Sequence, residues 1–111
     1  MNLFVDTSAF YSLLDADDGN HPAAAAAWEA ILAGRDTIRT SNYVLVETTA
    51  LLQNRIGMEG LREFAADILP VVDIVWIDEG MHRSALHALL VSARRRLSLV
   101  DCTSFEAMRS A

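Results

Sequence analysis

Two short apolar runs do most to constrain this chain. Leu3-Phe4-Val5 ends in Asp6-Thr7-Ser8 and leads into another apolar segment, and the β-branched and aromatic run over 71–77, interrupted only by Asp73, ends at Asp78-Glu79 ahead of a long helical pattern. A buried strand that turns directly into a helix is the unit from which parallel α/β sheets are built, and ligands of such sheets gather at the carboxyl ends of the strands. Asp6 stands at one such strand end. Two readings of it remain open: an N-cap for the helix that follows, or a functional acid held in the crevice. Asp78 has the same placement, and capping the helix behind it accounts for it without chemistry.

The remaining elements follow from periodicity and punctuation. The pattern predicts a short helix over 9–14 and a turn over 15–20, where Asp15, Asp17 and Asp18 lack the later Glu of a calcium loop. Pro22 opens a helix that runs to Gly34, with Ala24, Ala25, Trp28, Ile31 and Leu32 on its apolar face. A brief strand over 37–40 precedes Ser41-Asn42, which supplies caps for a helix over 43–56 ending at Gly57. The inward stripe of that helix reads as Tyr43/Val44, position 47, Ala50/Leu51 and position 54, which puts Glu47 in the middle of an apolar face. An amphipathic helix over 58–69 stops at Pro70, and a long one over about 80–96 closes on Arg94-Arg95-Arg96. Those arginines read either as complements to the helix dipole or as phosphate contacts. In the last segment Ser98 and Asp101 have capping-box spacing, so Asp101 has a local job in the first turn of a final helix.

Composition limits the function classes. A chain of 111 residues with 52% hydrophobic content is enough for one domain with a real core. No apolar run approaches the length of a membrane span, and the first residues lack the pattern of a signal peptide, so a cytoplasmic protein is expected. Cys102 is alone and reads as a small buried hydrophobe. His82 and His87 are five apart and do not share a helix face as a metal pair would. All nine basic residues are Arg, which excludes P-loop and Schiff-base chemistry. The net charge of -6 argues against binding nucleic acid by blanket neutralisation, so cations must mediate part of any such contact.

Asp6, Glu47 and Asp101 then stand out by placement. If the helices start at one edge of a parallel sheet, the three carboxylates converge on one crevice. Clustered carboxylates repel unless a cation neutralises them, and oxygen ligands select Mg²⁺ or Mn²⁺ where zinc would need His or Cys. Such a site suits phosphodiester hydrolysis, in which a metal-activated water attacks and metal charge steadies the phosphate.

The motifs Leu3-Phe4-Val5-Asp6-Thr7-Ser8-Ala9, Val44-Leu45-Val46-Glu47-Thr48 and Leu97-Ser98-Leu99-Val100-Asp101-Cys102-Thr103-Ser104-Phe105 make the chain resemble a PIN-domain ribonuclease, the toxin half of VapBC-type toxin-antitoxin pairs. The resemblance spans almost the whole chain. It implies a three-layer α/β fold with a central parallel sheet flanked by helices, and Mg²⁺- or Mn²⁺-dependent endoribonuclease activity. It also implies Asp6, Glu47 and Asp101 as catalytic, metal-binding acids with the Ser8 and Thr103 hydroxyls in support. RNA as substrate, a cognate antitoxin that fills the groove, and a homodimer follow from the same likeness.

The family pattern continues past the third acid into another strand beside the first, usually with a fourth acid, whereas this sequence stops at Ala111 without a C-cap after Met108-Arg109. A single PIN-like domain over 1–111, incomplete at its C-terminus, is therefore expected. A non-catalytic module that keeps antitoxin or RNA contacts is the alternative from another class. A receiver domain would need a late Lys, and an Asp-x-Asp phosphatase would need an acid where Ser8 stands.

Overall fold

The computed structural model describes residues 2–110, so Ala111, where the expected break in the domain falls, lies outside the described residues. Three parallel strands, β1 (Asn2–Phe4), β2 (Thr37–Ser41) and β3 (Asp73–Val75), form a sheet in the order β1-β2-β3. Leu3 pairs with Ile38 and Thr40 with Ile74, so all three strands end at one edge. Parallel neighbours require crossovers, and helices supply them. Helices α1 (Thr7–Leu14) and α2 (His21–Ala33) link β1 to β2, while α3 (Asn42–Arg55) and α4 (Gly57–Glu63) link β2 to β3. After β3 come α5 (Glu79–Ser92) and α6 (Leu99–Arg109).

Helix starts at the carboxyl edge are set by side-chain caps. Asp6 accepts from the Ala9 amide, Ser41 from Val44, Asp78 from Met81 and Ser98 from Asp101, each satisfying a donor that the first helical turn leaves unpaired. Gly57 takes φ 81° at the α3–α4 junction, a conformation that a Cβ would penalise. The core gathers Phe10, Ile38, Val44, Leu52, Phe64, Ile68 and Val72, with Phe10 and Phe64 edge to face at 5.2 Å. Cys102 packs in the interior as a free thiol.

Three element boundaries differ from those read off the sequence. The apolar run over 71–77 yields strand only over Asp73–Val75, because Pro70 sits in a 3-10 turn, Leu69–Val71, that delays extension. The helix over 58–69 is not uniform: α4 passes into a wider π-type turn over Phe64–Ile68, which brings Phe64 and Ile68 into the core. The helix predicted to reach Arg96 stops at Ser92, where Ala93 turns left-handed at φ 54°. Arg94, Arg95 and Arg96 thus lie beyond the last turn, in a loop.

At the α1 terminus the Tyr11 hydroxyl donates to the Asp15 carboxylate. That bond holds the Asp15 carboxyl below its ordinary value of 3.8, helped by the Asp17 amide, and raises Tyr11 above its ordinary 10.0. The signs set two limits. A depressed carboxyl stabilises the fold at neutral pH and ceases to as pH falls through its lowered pKa; a raised phenol stabilises it until pH climbs through its raised pKa. Tyr11→Phe should therefore lower the urea midpoint at neutral pH, and the gap from wild type should close at both acid and alkaline extremes. A gap that is flat across the whole range would mean the bond contributes nothing.

Candidate active site

The three helix starts converge as the parallel topology requires. Asp6 at the N-cap of α1, Glu47 in the second turn of α3 and Asp101 in the first turn of α6 line one cleft of about 190 Å³, together with Thr7, Ser8, Val44, Val100 and Ser104. All three acids are exposed. The positive ends of α1 and α6 favour carboxylates at these positions.

Asp6 and Asp101 are each held while keeping one oxygen free. Asp6 Oδ1 accepts from the Ala9 amide and from Ser8 Oγ, both at 3.0 Å, and the other oxygen takes no hydrogen bond among the described residues. Asp101 Oδ2 accepts from the Ser98 amide at 3.0 Å, closing the capping box with Ser98 Oγ, and leaves Oδ1 open. Glu47 has no hydrogen bond or ion pair among the described residues. Capping and cleft lining are compatible roles, since a cap occupies one oxygen of a carboxylate and fixes the direction of the other.

Beneath the acids, buried hydroxyls lock α1 and α3 to each other. Thr48 Oγ1 donates to Thr7 Oγ1 at 3.2 Å, and Thr7 Oγ1 donates to the Val44 carbonyl at 3.5 Å. Thr40 Oγ1 donates to the Val5 carbonyl at 2.8 Å, tying β2 to the end of β1 just before Asp6. The Ile77 amide donates to Asn42 Oδ1 at 2.6 Å, which anchors the exit of β3 to the start of α3.

The helical phase of α3 corrects the stripe read from sequence. Val44, Thr48 and Leu52 are its buried residues, and Glu47 is exposed at the border of that stripe. Ser41 sets the phase by capping Val44, and Thr48 faces inward because Thr7 satisfies its hydroxyl. An inward Glu is thus not the reason to single out position 47; its place on the cleft wall is.

The hydroxyls divide unequally. Ser8 lines the cleft and holds Asp6, whereas Thr103 is fully buried and donates to the Val100 carbonyl of its own helix at 2.7 Å. Ser104 takes the cleft position that sequence reasoning gave to Thr103. The signal was available: Ser104 lies three residues after Asp101 and so shares its helix face, which Thr103 does not.

The donor chemistry suits a hard cation, because the cleft lining offers carboxylates and hydroxyls with no imidazole or thiol. As the side chains stand, no three His, Cys, Asp or Glu among the described residues close around an ion. The arrangement is an open cleft rather than a cage, which matches cations that keep much of their water.

Beside this cleft lies an apolar shelf. Glu47 and Val100 are shared with a neighbouring hollow lined by Tyr43 and Val46, and Val46 continues into another lined by Leu45, Thr49, Ala50 and Trp76. Val46 and Trp76 are 72% and 67% exposed, an unusual outlay of large apolar surface on one ledge.

Comparison with known proteins gives concordant matches. The family model described as PIN domain matches residues 3–111. A 23S rRNA-specific endonuclease, VapC20, of Mycobacterium tuberculosis (strains CDC 1551 / Oshkosh and ATCC 25618 / H37Rv) is 35% identical over 108 residues, covering 96% of this chain and 80% of the relative. The crystal structure of M. tuberculosis VapC20, a sarcin-ricin loop cleaving toxin, superposes with a TM-score of 0.83 at 32% identity, over 97% of this chain and 82% of that one.

Proposed function

Since the chain belongs to the PIN-domain family of VapC-type ribonuclease toxins, we propose that it hydrolyses RNA phosphodiester bonds at the cleft lined by Asp6, Glu47 and Asp101, with Mg²⁺ or Mn²⁺ as cofactor. The observation that carries this reading is the sharing of one small cleft by three acids so distant in sequence. A divalent cation held by these carboxylates would offset their mutual repulsion and supply the polarisation that makes water a nucleophile towards phosphorus.

The protein's own groups do the positioning. Ser8 and the Ala9 amide fix one oxygen of Asp6, Ser98 fixes one of Asp101, and both leave the other oxygen available to a ligand. The unpartnered Glu47 completes the set from the opposite helix. Ser104 stands within the cleft as a hydroxyl able to donate to a phosphate oxygen.

Ribosomal RNA is the first substrate to test, because the similar toxin is specific for 23S rRNA. A cognate antitoxin is the proposed regulator, and the exposed Val46 and Trp76 beside the cleft offer apolar surface for its docking. We further propose that residues 1–111 belong to a single PIN domain that works in the cytoplasm as a homodimer.

Cleavage of labelled 23S rRNA should require added Mg²⁺ or Mn²⁺, stop with excess EDTA and return when the cation is restored. Cleavage that persists under chelation would overturn the metal dependence. Binding without cleavage under every cation tried would leave the non-catalytic module in its place.

A further inference from the structure

The loop between α5 and α6 carries Arg94, Arg95 and Arg96 in succession, all exposed. In the helix expected from sequence they would complement the dipole, but α5 ends at Ser92 and Ala93 turns left-handed ahead of them. Their guanidinium groups make no hydrogen bond or ion pair among the described residues, whereas Arg83 pairs with Glu79 and Arg109 with Glu106. What sets these three apart is their adjacency: no other two of the nine basic residues are neighbours in sequence. Their mutual repulsion is relieved only by solvent or by an anion.

The loop's place gives that anion a source. The Leu97 amide bonds to the Arg94 carbonyl at 3.3 Å, folding the segment into a turn, and Ser98 then caps α6 at the cleft. Arg96 precedes Asp101 by five residues, so its Cα lies at most about 18 Å from that acid along the chain. That span is a few nucleotides of extended strand, so a strand with its scissile bond at the acids has phosphates within range of this loop, while the acids themselves repel the backbone.

We propose that Arg94, Arg95 and Arg96 form a phosphate-binding loop that holds the RNA strand a few nucleotides from the scissile bond. This rests on the nuclease reading above and adds where an acidic protein finds the cations to hold a polyanion without its metal. Arginine suits the task, because its planar fork binds phosphate bidentately and never loses its charge.

The test is binding of a fluorescein-labelled single-stranded RNA, kept intact by EDTA and followed by anisotropy across a NaCl series, with cleavage of the same RNA in Mg²⁺ as a second readout. Wild type should bind with a negative log K against log salt slope, and the triple variant Arg94→Gln, Arg95→Gln, Arg96→Gln should lose about 2 from its magnitude, at about 0.7 per phosphate released. Affinity at low salt should fall at least about tenfold, and in cleavage KM should rise with kcat little changed. Arg35→Gln with Arg62→Gln, on α2–β2 and α4, should leave the slope as it was. An unchanged slope and KM in the triple variant overturns the proposal, as does wild type that fails to bind under chelation. In either case cleavage by wild type in Mg²⁺ would keep the nuclease reading standing, and its absence would bring that reading down separately.

Discussion

Asp6→Asn is expected to reduce RNA cleavage by about 100- to 1,000-fold while leaving the fold within about 0.5 kcal/mol of wild type. The two halves of that expectation come from the two jobs of one side chain. Asn caps helices as well as Asp does, so the amide oxygen can still accept from the Ala9 amide and Ser8 Oγ. Only the negative charge facing the cleft is removed. Glu47→Gln should behave alike with even less structural consequence, because Glu47 has no hydrogen bond or ion pair to lose among the described residues. If both acids hold a common cation, the double variant should be no slower than the slower single one, since groups acting as a unit are not additive. Single-turnover cleavage and a thermal melt of each variant check this. Losses that multiply in the double variant would mean two independent roles and would break the shared-site account.

The legible parts of the fold were those governed by local chemistry. The Asp6, Ser41 and Asp78 caps and the Ser98/Asp101 capping box all appear where spacing put them, because a cap needs only its own turn. Parallel order followed from the strand-to-helix rhythm. What the sequence concealed was tertiary. Thr48 reads as polar and outward until Thr7 on α1 is there to satisfy it, and with Thr48 inward Glu47 falls outside the buried stripe, on the cleft wall. Thr103 and Ser104 are both buried by the packing of α6, and only Ser104, three residues after Asp101 and on its helix face, also lines the cleft, a spacing the sequence did carry. The left-handed Ala93 carries no Gly signal, so the release of the three arginines from α5 could not be read from composition.

Phe10→Ala should separate the framework from the chemistry. Phe10 is wholly buried on α1, meets Phe64 edge to face at 5.2 Å, and its amide closes the first helical turn on the Asp6 carbonyl at 3.2 Å. Truncation removes a ring from a closed core and leaves a cavity that α1 can fill only by shifting, at a cost of about 3–5 kcal/mol. A domain of this size has only about 5–15 kcal/mol in all, so the melting temperature should fall on the order of 15–25 °C. Phe10→Leu keeps apolar bulk and should cost clearly less. Cleavage measured well below the lowered melt, and corrected for folded fraction, should stay within about tenfold of wild type, the loss expected when a positioning element loosens while the acids keep their charge. Asp6→Asn and Phe10→Ala thus predict opposite pairs of readings, rate lost with melt retained against melt lost with rate largely retained. A Phe10→Ala protein that melts like wild type would mean that α1 is clamped by the Thr7–Thr48 hydroxyl contact alone, and that Asp6 is placed by hydrogen bonding rather than by the core beneath it.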